Sequence, residues 1–82
     1  MKVDVKLFAV AKQYAGTDTI TLELDEQAAT AGQLKLQLVQ QIPQLQPLLN
    51  SLRIAVNQQY ASDQTQLRAH DEIACIPPVS GG

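Results

Sequence analysis

The segment TAGQLKLQLVQQI, residues 30–42, has the pattern of an amphipathic helix in a chain that otherwise alternates as β-strands do. Its apolar residues recur about every four positions, which places them along one side of a helix: Leu34, Leu38, Val39 and Ile42. Thr30 and Gln33 have the spacing of a capping box, in which each side chain satisfies a free backbone N–H at the helix start. Pro43 disfavours helical geometry at Ile42, so we expect the helix to end there.

On both sides of this helix, apolar and polar residues alternate with period two, the pattern of strands with one buried face. Strands are predicted near residues 2–7, 19–24, 52–58 and 72–76, with a weaker one around Tyr60. The residues predicted to face inward are Val3, Val5, Leu7, Ile20, Leu22, Leu24, Leu52, Ile54, Val56, Ile73 and Cys75. A short Ala-rich helix is predicted at residues 9–15, and Gly16 is placed to stop it.

Helical segments thus lie between strands that each need one buried face. A single sheet with the main helix packed across it satisfies both requirements. The predicted fold class is therefore α+β with two layers. The 82 residues suffice for one domain with one modest core. We assign that domain to residues 1–76 and an extended tail to residues 77–82.

The composition argues against several classes of protein. The formal net charge is −2, with six Lys and Arg against eight Asp and Glu, and no basic run occurs. Nucleic acid and membranes are therefore not expected as partners. Charges within the opening segment MKVDVKLFAV argue against a signal peptide or a spanning helix, so we expect a cytoplasmic location. The single cysteine excludes an internal disulfide, and no metal-ligand spacing occurs, so no bound metal or cofactor is expected.

Few side chains have the surroundings that catalysis requires. One set has the residue types of a hydrolase triad: Ser62, Asp63, His70 and Asp71. No nucleophile elbow or glycine-rich oxyanion loop surrounds the serine, so we interpret these as turn residues. The alternation places Cys75 in the core, where cysteine behaves as a small apolar residue. If the chain takes part in a reaction, we expect that its own side chains do not catalyse it.

Two apolar residues fall on faces that should meet solvent. Phe8 continues the polar side of the first strand, and Ile76 lies on the outer side of the last strand. The alternation leaves the face of Tyr60 open. Isolated exposed apolar residues are common, but pairing of the first and last strands would join Phe8 and Ile76 in one patch. We therefore expect a partner-docking patch of Phe8 and Ile76, with Tyr60 as a candidate third member.

The end of the sequence is the strongest candidate site. Its residues are Pro77, Pro78, Val79, Ser80, Gly81 and Gly82. The two prolines fix two φ angles and lack N–H donors, so the chain should leave the sheet extended. The two glycines have no side chains, so this tail would fit a channel that any Cβ would obstruct. The reactive group at the tip is an α-carboxylate, which must be activated before attack, normally as a mixed anhydride with AMP.

The segment DEIACIPPVSGG, residues 71–82, resembles the end of the small, sulfur-carrier subunits of molybdopterin synthase. KLFAVAKQYAG, residues 6–16, is similar to that family's first strand and short helix, and TAGQLKLQL, residues 30–38, to the start of its main helix. The resemblance covers nearly the whole chain and implies the ubiquitin-like β-grasp fold, with a mixed sheet of four to five strands. His70 is a departure, because family members often have glycine there, and a turn that required positive φ would strain a histidine.

The resemblance also implies a carrier mechanism. An E1-like adenylyltransferase would use ATP and Mg²⁺ to adenylate the carboxylate of Gly82, and a sulfur donor would convert it to a thiocarboxylate. The large subunit of molybdopterin synthase would receive the tail, in a lasting heterotetramer or by exchange, and its active site would pass the sulfur to cyclic pyranopterin monophosphate. Gly81 matches the required neighbour of Gly82. Phe8, Tyr60 and Ile76 fall at positions that correspond to the family's docking face.

Three alternatives stay open on the sequence. The first is a sulfur carrier for thiamine synthesis or tRNA thiolation, since such carriers also end in Gly-Gly, although PPVSGG favours molybdopterin. The second is a ubiquitin-like modifier that is joined to lysines through an isopeptide bond. The third is a plain interaction domain whose terminal glycines have no function.

Overall fold

The structure of the chain, a computed structural model, describes residues 1–78. The elements are β1 (Lys2–Leu7), α1 (Ala9–Ala15), β2 (Thr19–Glu23), a first 3₁₀ segment (Glu26–Ala28), α2 (Ala31–Gln41), a second 3₁₀ segment (Pro43–Ser51), β3 (Arg53–Val56), β4 (Gln59–Ala61) and β5 (Ile73–Ile76). The predicted order of strands and helices is confirmed, whereas neither 3₁₀ segment was predicted. In the part of the chain described, no helix combines the length and apolar character needed to cross a membrane.

The five strands form one mixed sheet in the order β2-β1-β5-β3-β4. β1 and β5 pair in parallel, with Val5 opposite Ile73 and Leu7 opposite Cys75. The other neighbouring pairs run antiparallel. The expected pairing of the first and last strands is therefore confirmed, and the fold is the two-layer α+β arrangement of the β-grasp.

The core lies between one face of the sheet and α2. The burial pattern of β1 alternates strictly, as its sequence predicts. Leu34 and Leu38 are the largest fully buried residues of α2, and Leu45 of the second 3₁₀ segment is also fully buried. Ile20 and Val56 were predicted to face inward but are only partly buried against this core. Ile20 lies on the edge strand β2 and Val56 ends β3, so each has fewer neighbours to cover it.

The two ends of α2 lie close to the predicted residues. Thr30 Oγ1 accepts a hydrogen bond from the N–H of Gln33 at 3.2 Å, which is the first half of the predicted capping box. The second half is wrong, because the N–H of Thr30 donates to the carbonyl of Ala28 at 3.0 Å and therefore has a backbone acceptor. At the other end, the N–H of Ile42 donates to the Leu38 carbonyl at 2.8 Å, and the next proline opens the second 3₁₀ segment.

The loop after β4 provides hydrogen-bond acceptors for free backbone N–H groups at the start of α2. The N–H of Ala31 donates to the Thr65 carbonyl at 3.0 Å, and that of Gly32 to the Asp63 carbonyl at 2.9 Å. Lys35 Nζ lies 2.8 Å from a carboxylate oxygen of Asp63. A Cβ at Gly32 would lie 3.1 Å from two atoms of Asp63, so the absence of a side chain permits this close approach.

Gly16 is expected to contribute to stability through its backbone conformation alone. It ends α1 with a φ of 73°, and a Cβ there would meet no atom within 4 Å. We predict that Gly16→Ala lowers the free energy of unfolding by about 1 kcal/mol, because a side chain disfavours left-handed φ. Urea unfolding measures the change. Gly16→Asn is the control and should lose less, since asparagine tolerates this conformation better; equal losses would contradict the explanation.

Candidate functional site

The outer face of the sheet, opposite α2, has two alanines at its centre. Ala55 of β3 lies opposite Ala74 of β5 and opposite Tyr60 of β4 in the strand register. Ala55 is only 9% exposed, although the alternation of β3 directs it outward. Because alanine side chains are short, the larger residues around them border a shallow recess on this face.

Phe8 borders the two alanines on the β1 side. Its backbone is extended, with φ −126° and ψ 157°, so Phe8 continues the outer face of β1. The side chain is 44% exposed, and it lines a cavity of about 200 Å³ together with Ala55 and Ala74. The next residue, Ala9, has a φ of 53°, a left-handed conformation at the point where the chain enters α1. The predicted exposure of Phe8 is confirmed.

Tyr60 and Ile76 lie on the other side of the recess. Tyr60 is 65% exposed, and the guanidinium of Arg53 lies 5.2 Å from its ring centroid. Ile76 is opposite Arg53 in the register and is half-buried, which is less exposure than its outward phase suggested. These three residues line one cavity together with Pro77 and Pro78.

The three predicted docking residues are thus on one side of the sheet. We call this surface the docking face, and its members are Phe8, Arg53, Ala55, Tyr60, Ala74 and Ile76. The face on which Tyr60 lies, which the sequence left open, is the outer one, because Tyr60 pairs with the outward-facing Ala55. That the docking face binds a partner stays a prediction.

β5 leads directly into the predicted tail. It is the central strand of the sheet, between β1 and β3. Its last residue is followed by Pro77, which is buried, and Pro78, which is exposed. The buried Pro77 fixes the point at which the chain leaves the sheet beside Ile76. The rest of the predicted tail lies outside the described residues, and its roles stay predictions: Val79, Ser80, Gly81 and Gly82.

A hydrogen-bonded turn holds the residues that precede β5. The side chain of Asn57 donates to one carboxylate oxygen of Asp71 at 3.0 Å and accepts from the N–H of Glu72 at 2.9 Å. The other carboxylate oxygen of Asp71 accepts from the N–H of Arg68 at 2.8 Å. The turn between β3 and β4 is therefore tied to the approach to β5.

His70 does not have the strain that a positive φ in its turn would cause. Among residues 1–78, the non-glycine residues with positive φ are Ala9, Asn57 and Gln58. The left-handed pair is thus in the turn between β3 and β4, where asparagine tolerates this conformation better than most residues. His70 itself is exposed in a turn. The departure from the family pattern at this position is accommodated without backbone strain.

The residues considered for a hydrolase triad form other contacts. The Ser62 hydroxyl lies 3.3 Å from the Thr65 hydroxyl, and Asp63 pairs with Lys35. Asp71 accepts from an asparagine side chain and from the backbone, as described above. These contacts are those of turn residues, as the sequence predicted. Within residues 1–78, no group of three or more His, Cys, Asp or Glu is placed to hold a metal ion.

Cys75 lies in the core rather than at a reactive surface. It is a free cysteine with no exposed area, paired with Ile54 of β3 and Leu7 of β1 in the register. Burial raises the pKa of its thiol to about 11, because the thiolate would lose its hydration, and the positive charge of Lys35 opposes this only in part. The prediction that Cys75 belongs to the core is confirmed.

Arg53, Ala55 and Ala74 are the residues of this face that the sequence reasoning missed. The alternation of β3 directs Arg53 and Ala55 away from the core, and that of β5 directs Ala74 away from it, which is a signal that the sequence contains. Their placement beside Ile76 and Tyr60 depends on the pairing of β3 with β5 and β4. That register was not available from the pattern of single strands.

The chain matches a protein-family model described as the ThiS family over residues 5–82. It is 41% identical over 80 residues to a molybdopterin synthase sulfur carrier subunit of Dictyostelium discoideum, covering 95% of this chain and 93% of that protein. It is 33% identical over 82 residues to the protein of the same name in Arabidopsis thaliana, covering 100% of this chain and 84% of that protein.

Solved structures with the same fold include two kinds of protein. The crystal structure of SAMP1, small archaeal modifier protein 1, from Haloferax volcanii superposes with a TM-score of 0.83 at 30% identity, and the match covers 100% of both chains. A chain in a complex of subunits 1 and 2 of molybdopterin-converting factor from Helicobacter pylori superposes with a TM-score of 0.66 at 25% identity, again covering 100% of both chains.

The buried thiol gives a prediction about reactivity. We expect that iodoacetamide does not modify Cys75 in the folded protein near neutral pH and modifies it fully after denaturation, as intact mass measures. Equal modification of both states would contradict the burial of this residue.

The same thiol predicts how stability depends on pH. As the pH rises, the thiol ionises in the unfolded chain near its ordinary pKa of 9.0 and in the folded chain only near 11. The free energy of unfolding should therefore be unaffected by this group below pH 9 and should fall as the pH rises from about 9 to about 11. Denaturant unfolding of the wild type and of Cys75→Ala isolates the effect, because the variant should lack this part of the decline.

Proposed function

The chain belongs to the ThiS family, and on that premise we propose that it is the sulfur-carrier subunit of a molybdopterin synthase. The observation that carries the proposal is similarity along nearly the whole chain to proteins named as molybdopterin synthase sulfur carrier subunits. The family match extends through Gly82, so it includes the pair of glycines that the mechanism requires.

In the proposed mechanism, the reacting group is the α-carboxylate of Gly82. An E1-like activating enzyme binds ATP and Mg²⁺, one carboxylate oxygen attacks the α-phosphorus, and pyrophosphate leaves. The product is an acyl adenylate, the mixed anhydride that makes the carbonyl carbon open to attack. The sulfur donor then delivers sulfur at the sulfide level (HS⁻). This sulfur attacks the carbonyl carbon, the bond from that carbon to the AMP oxygen breaks, AMP leaves, and the terminus becomes a thiocarboxylate. This chain supplies the carried group, and its partners supply the catalysis.

The second half of the mechanism takes place in a large subunit. The charged tail enters that subunit's active site, where sulfur passes to cyclic pyranopterin monophosphate, and two such transfers build the dithiolene of molybdopterin. Similarity to a chain in the Helicobacter pylori complex of subunits 1 and 2 supports a partner of this kind. In this proposal the docking face binds the large subunit, and the buried Pro77 sets the direction in which the tail leaves.

Two side chains that could act as nucleophiles have other surroundings in the structure. Cys75 is buried with a raised thiol pKa, and the Ser62 hydroxyl is 3.3 Å from the Thr65 hydroxyl in a turn. No side-chain hydrogen bond found in residues 1–78 joins either of them to His70. The α-carboxylate of the tail therefore remains the group to which the proposal assigns the chemistry.

A second candidate function is modification of other proteins. The similarity to SAMP1, whose name describes a modifier, is the observation that favours it. Both functions begin with the same acyl adenylate, and they differ in the nucleophile that follows: sulfur for a carrier, and a lysine amine for a modifier. Carriers for thiamine synthesis or tRNA thiolation share the thiocarboxylate step and differ from the first proposal in the acceptor.

Intact-mass measurement tests the carried group. After incubation with the activating enzyme, ATP, Mg²⁺ and a sulfur donor, we expect a mass gain equal to the replacement of one oxygen by sulfur. Deletion of Gly82 should abolish the gain and the formation of molybdopterin with the large subunit. Cys75→Ala, the control that removes the chain's single thiol, should load normally.

The outcomes separate the candidate functions. No mass gain in the wild type would overturn the carrier proposal. Loss of loading in Cys75→Ala would contradict the assignment of the carried sulfur to the carboxylate of Gly82. Higher-mass conjugates on other proteins, dependent on Gly82 and without thiocarboxylate, would favour the modifier. A thiocarboxylate that transfers to a thiazole precursor or tRNA, and not to the pterin, would favour another carrier.

A charge substitution tests the docking face. We predict that Phe8→Glu weakens binding to the large subunit by more than about tenfold, because a carboxylate would be buried without a partner in an apolar contact. Isothermal titration measures the affinity, and a thermal melt should be nearly unchanged because Phe8 is exposed. Leu36→Glu is the matched control, since Leu36 is 47% exposed on α2, across the domain from the docking face. Equal losses in both variants, or unfolding of Phe8→Glu, would overturn the assignment.

A further inference from the structure

Arg53 is a cation set within the docking face. It lies opposite Ile76 in the register of β3 and β5, and its guanidinium is 5.2 Å from the ring centroid of Tyr60. It also lines the same cavity as Pro77 and Pro78, the residues at which the chain leaves the sheet. One charged group is therefore placed between two apolar docking residues and the start of the tail.

No carboxylate of the described residues neutralises this charge. The ion pairs found in residues 1–78 join the N-terminal amine of Met1 to Glu23 and Lys35 to Asp63. Asp71 is engaged by Asn57 and the backbone in the turn before β5. Arg53 is exposed, so water solvates its charge in the free chain.

Docking would change the surroundings of this charge. A partner that covers Tyr60 and Ile76 also covers the guanidinium of Arg53, which lines the same cavity, and it removes water from its N–H groups. A charge that loses its hydration without a partner is strongly unfavourable, whereas one that gains a hydrogen-bonded counter-ion is not. The partner surface over this point must therefore provide an acceptor for Arg53.

The chemistry of the guanidinium determines what kind of acceptor fits. Its carbon lies 5.2 Å from the Tyr60 ring centroid, and the group has five N–H donors in one plane. A carboxylate is planar and accepts two parallel hydrogen bonds from the edge of this plane. A lysine at this position would provide a point charge without that fork, so the geometry distinguishes arginine from lysine.

We propose that Arg53 forms an ion pair with a carboxylate of the large subunit, at the edge of the opening through which that subunit admits the tail. The inference rests on the proposed function and adds the chemistry of the contact beside the tail. Arg53 acts here as a positioning residue: it aligns the tail with the opening and does not touch the reacting atoms. Tyr60 holds the guanidinium in place for this contact.

Titration of the wild type and of Arg53 variants against the large subunit tests the proposal. We expect Arg53→Glu to weaken binding at least about 30-fold, and Arg53→Lys to weaken it less, because one partner of a desolvated charge pair is lost or changed. Tyr60→Leu should also weaken binding, whereas Tyr60→Phe, which keeps the ring, should retain most of it. The affinity of the wild type should fall with added salt more steeply than that of Arg53→Gln.

Arg68→Glu is the matched control, because it makes the same change of charge at an exposed arginine that lines neither cavity of the docking face. Its affinity should stay close to that of the wild type. Equal loss in Arg53→Glu and Arg68→Glu would overturn the proposal in favour of a general charge effect. Normal binding by Arg53→Glu, with weaker adenylation instead, would assign Arg53 to the activating enzyme and would also overturn it.

Charge exchange identifies the partner's carboxylate. Surface Asp and Glu residues of the large subunit are changed one at a time to Lys, and one of these variants should restore binding to Arg53→Glu by about tenfold or more. Failure of every such variant to restore binding would overturn the ion pair. The proposed function and this inference can fail separately. If the wild type acquires the thiocarboxylate and binds the large subunit, and the Arg53 variants bind equally well, this inference alone is rejected. If the wild type does neither, the proposed function is rejected as well.

Discussion

Backbone hydrogen bonds hold β5 on both sides, to β1 in parallel and to β3 in antiparallel pairing. The strand that leads into the tail is therefore at the centre of the sheet rather than at an edge. Its inward residues, Ile73 and Cys75, are buried in the core, and Pro77 is buried just beyond its end. A central strand with buried side chains opens only when much of the domain unfolds. The position of the last described residues thus depends on the stability of the whole fold.

The same pairing assembles the docking face from separate parts of the sequence. Ala74 of β5 lies between Lys6 of β1 and Ala55 of β3, and Tyr60 follows on β4. Phe8 continues β1 on the other side of the two alanines. No single segment of the chain contains this surface, so it exists only in the folded domain. The fold therefore fixes the positions of the apolar docking residues relative to the start of the tail.

The strands and α2 were predictable because their burial is periodic. Residues such as Val5 and Leu38 repeat at the intervals of a strand and of a helix, and local sequence determines which side each one faces. The second 3₁₀ segment has no such period, since its prolines interrupt any helical pattern and Leu45 is its buried residue. The sequence therefore predicted the end of α2 near Ile42 but not the 3₁₀ segment that follows it.

The parts of the candidate site that were missed depend on contacts between distant residues. The position of Arg53 beside Tyr60 requires the register of β3 with β4, and the pattern of each strand alone does not contain it. The sequence assigned Pro77 to the extended tail because it precedes a second proline. Its burial depends on residues that are close in space but not in sequence. The exposure of Phe8 was predictable because one apolar residue on the polar side of an alternating strand is a local signal. The prediction that Gly81 and Gly82 fit a narrow channel came from their lack of side chains, whereas the carrier chemistry predicted for Gly82 came from the resemblance.

The proposed mechanism limits where a partner could bind, because in it the reacting carboxylate belongs to Gly82, four residues beyond Pro78. A fully extended chain spans at most about 3.6 Å per residue, so that carboxylate would reach no more than about 14 Å from Pro78. A partner that received it would place its reacting centre within that distance of Pro78, which favours contact with the surface around Ile76 and Tyr60. Leu36, 47% exposed on α2 across the domain, does not border this surface. In the proposal, this short reach is a physical reason for docking to the outer face of the sheet, and a fixed contact at Arg53 would reduce the loss of freedom when the tail enters its channel.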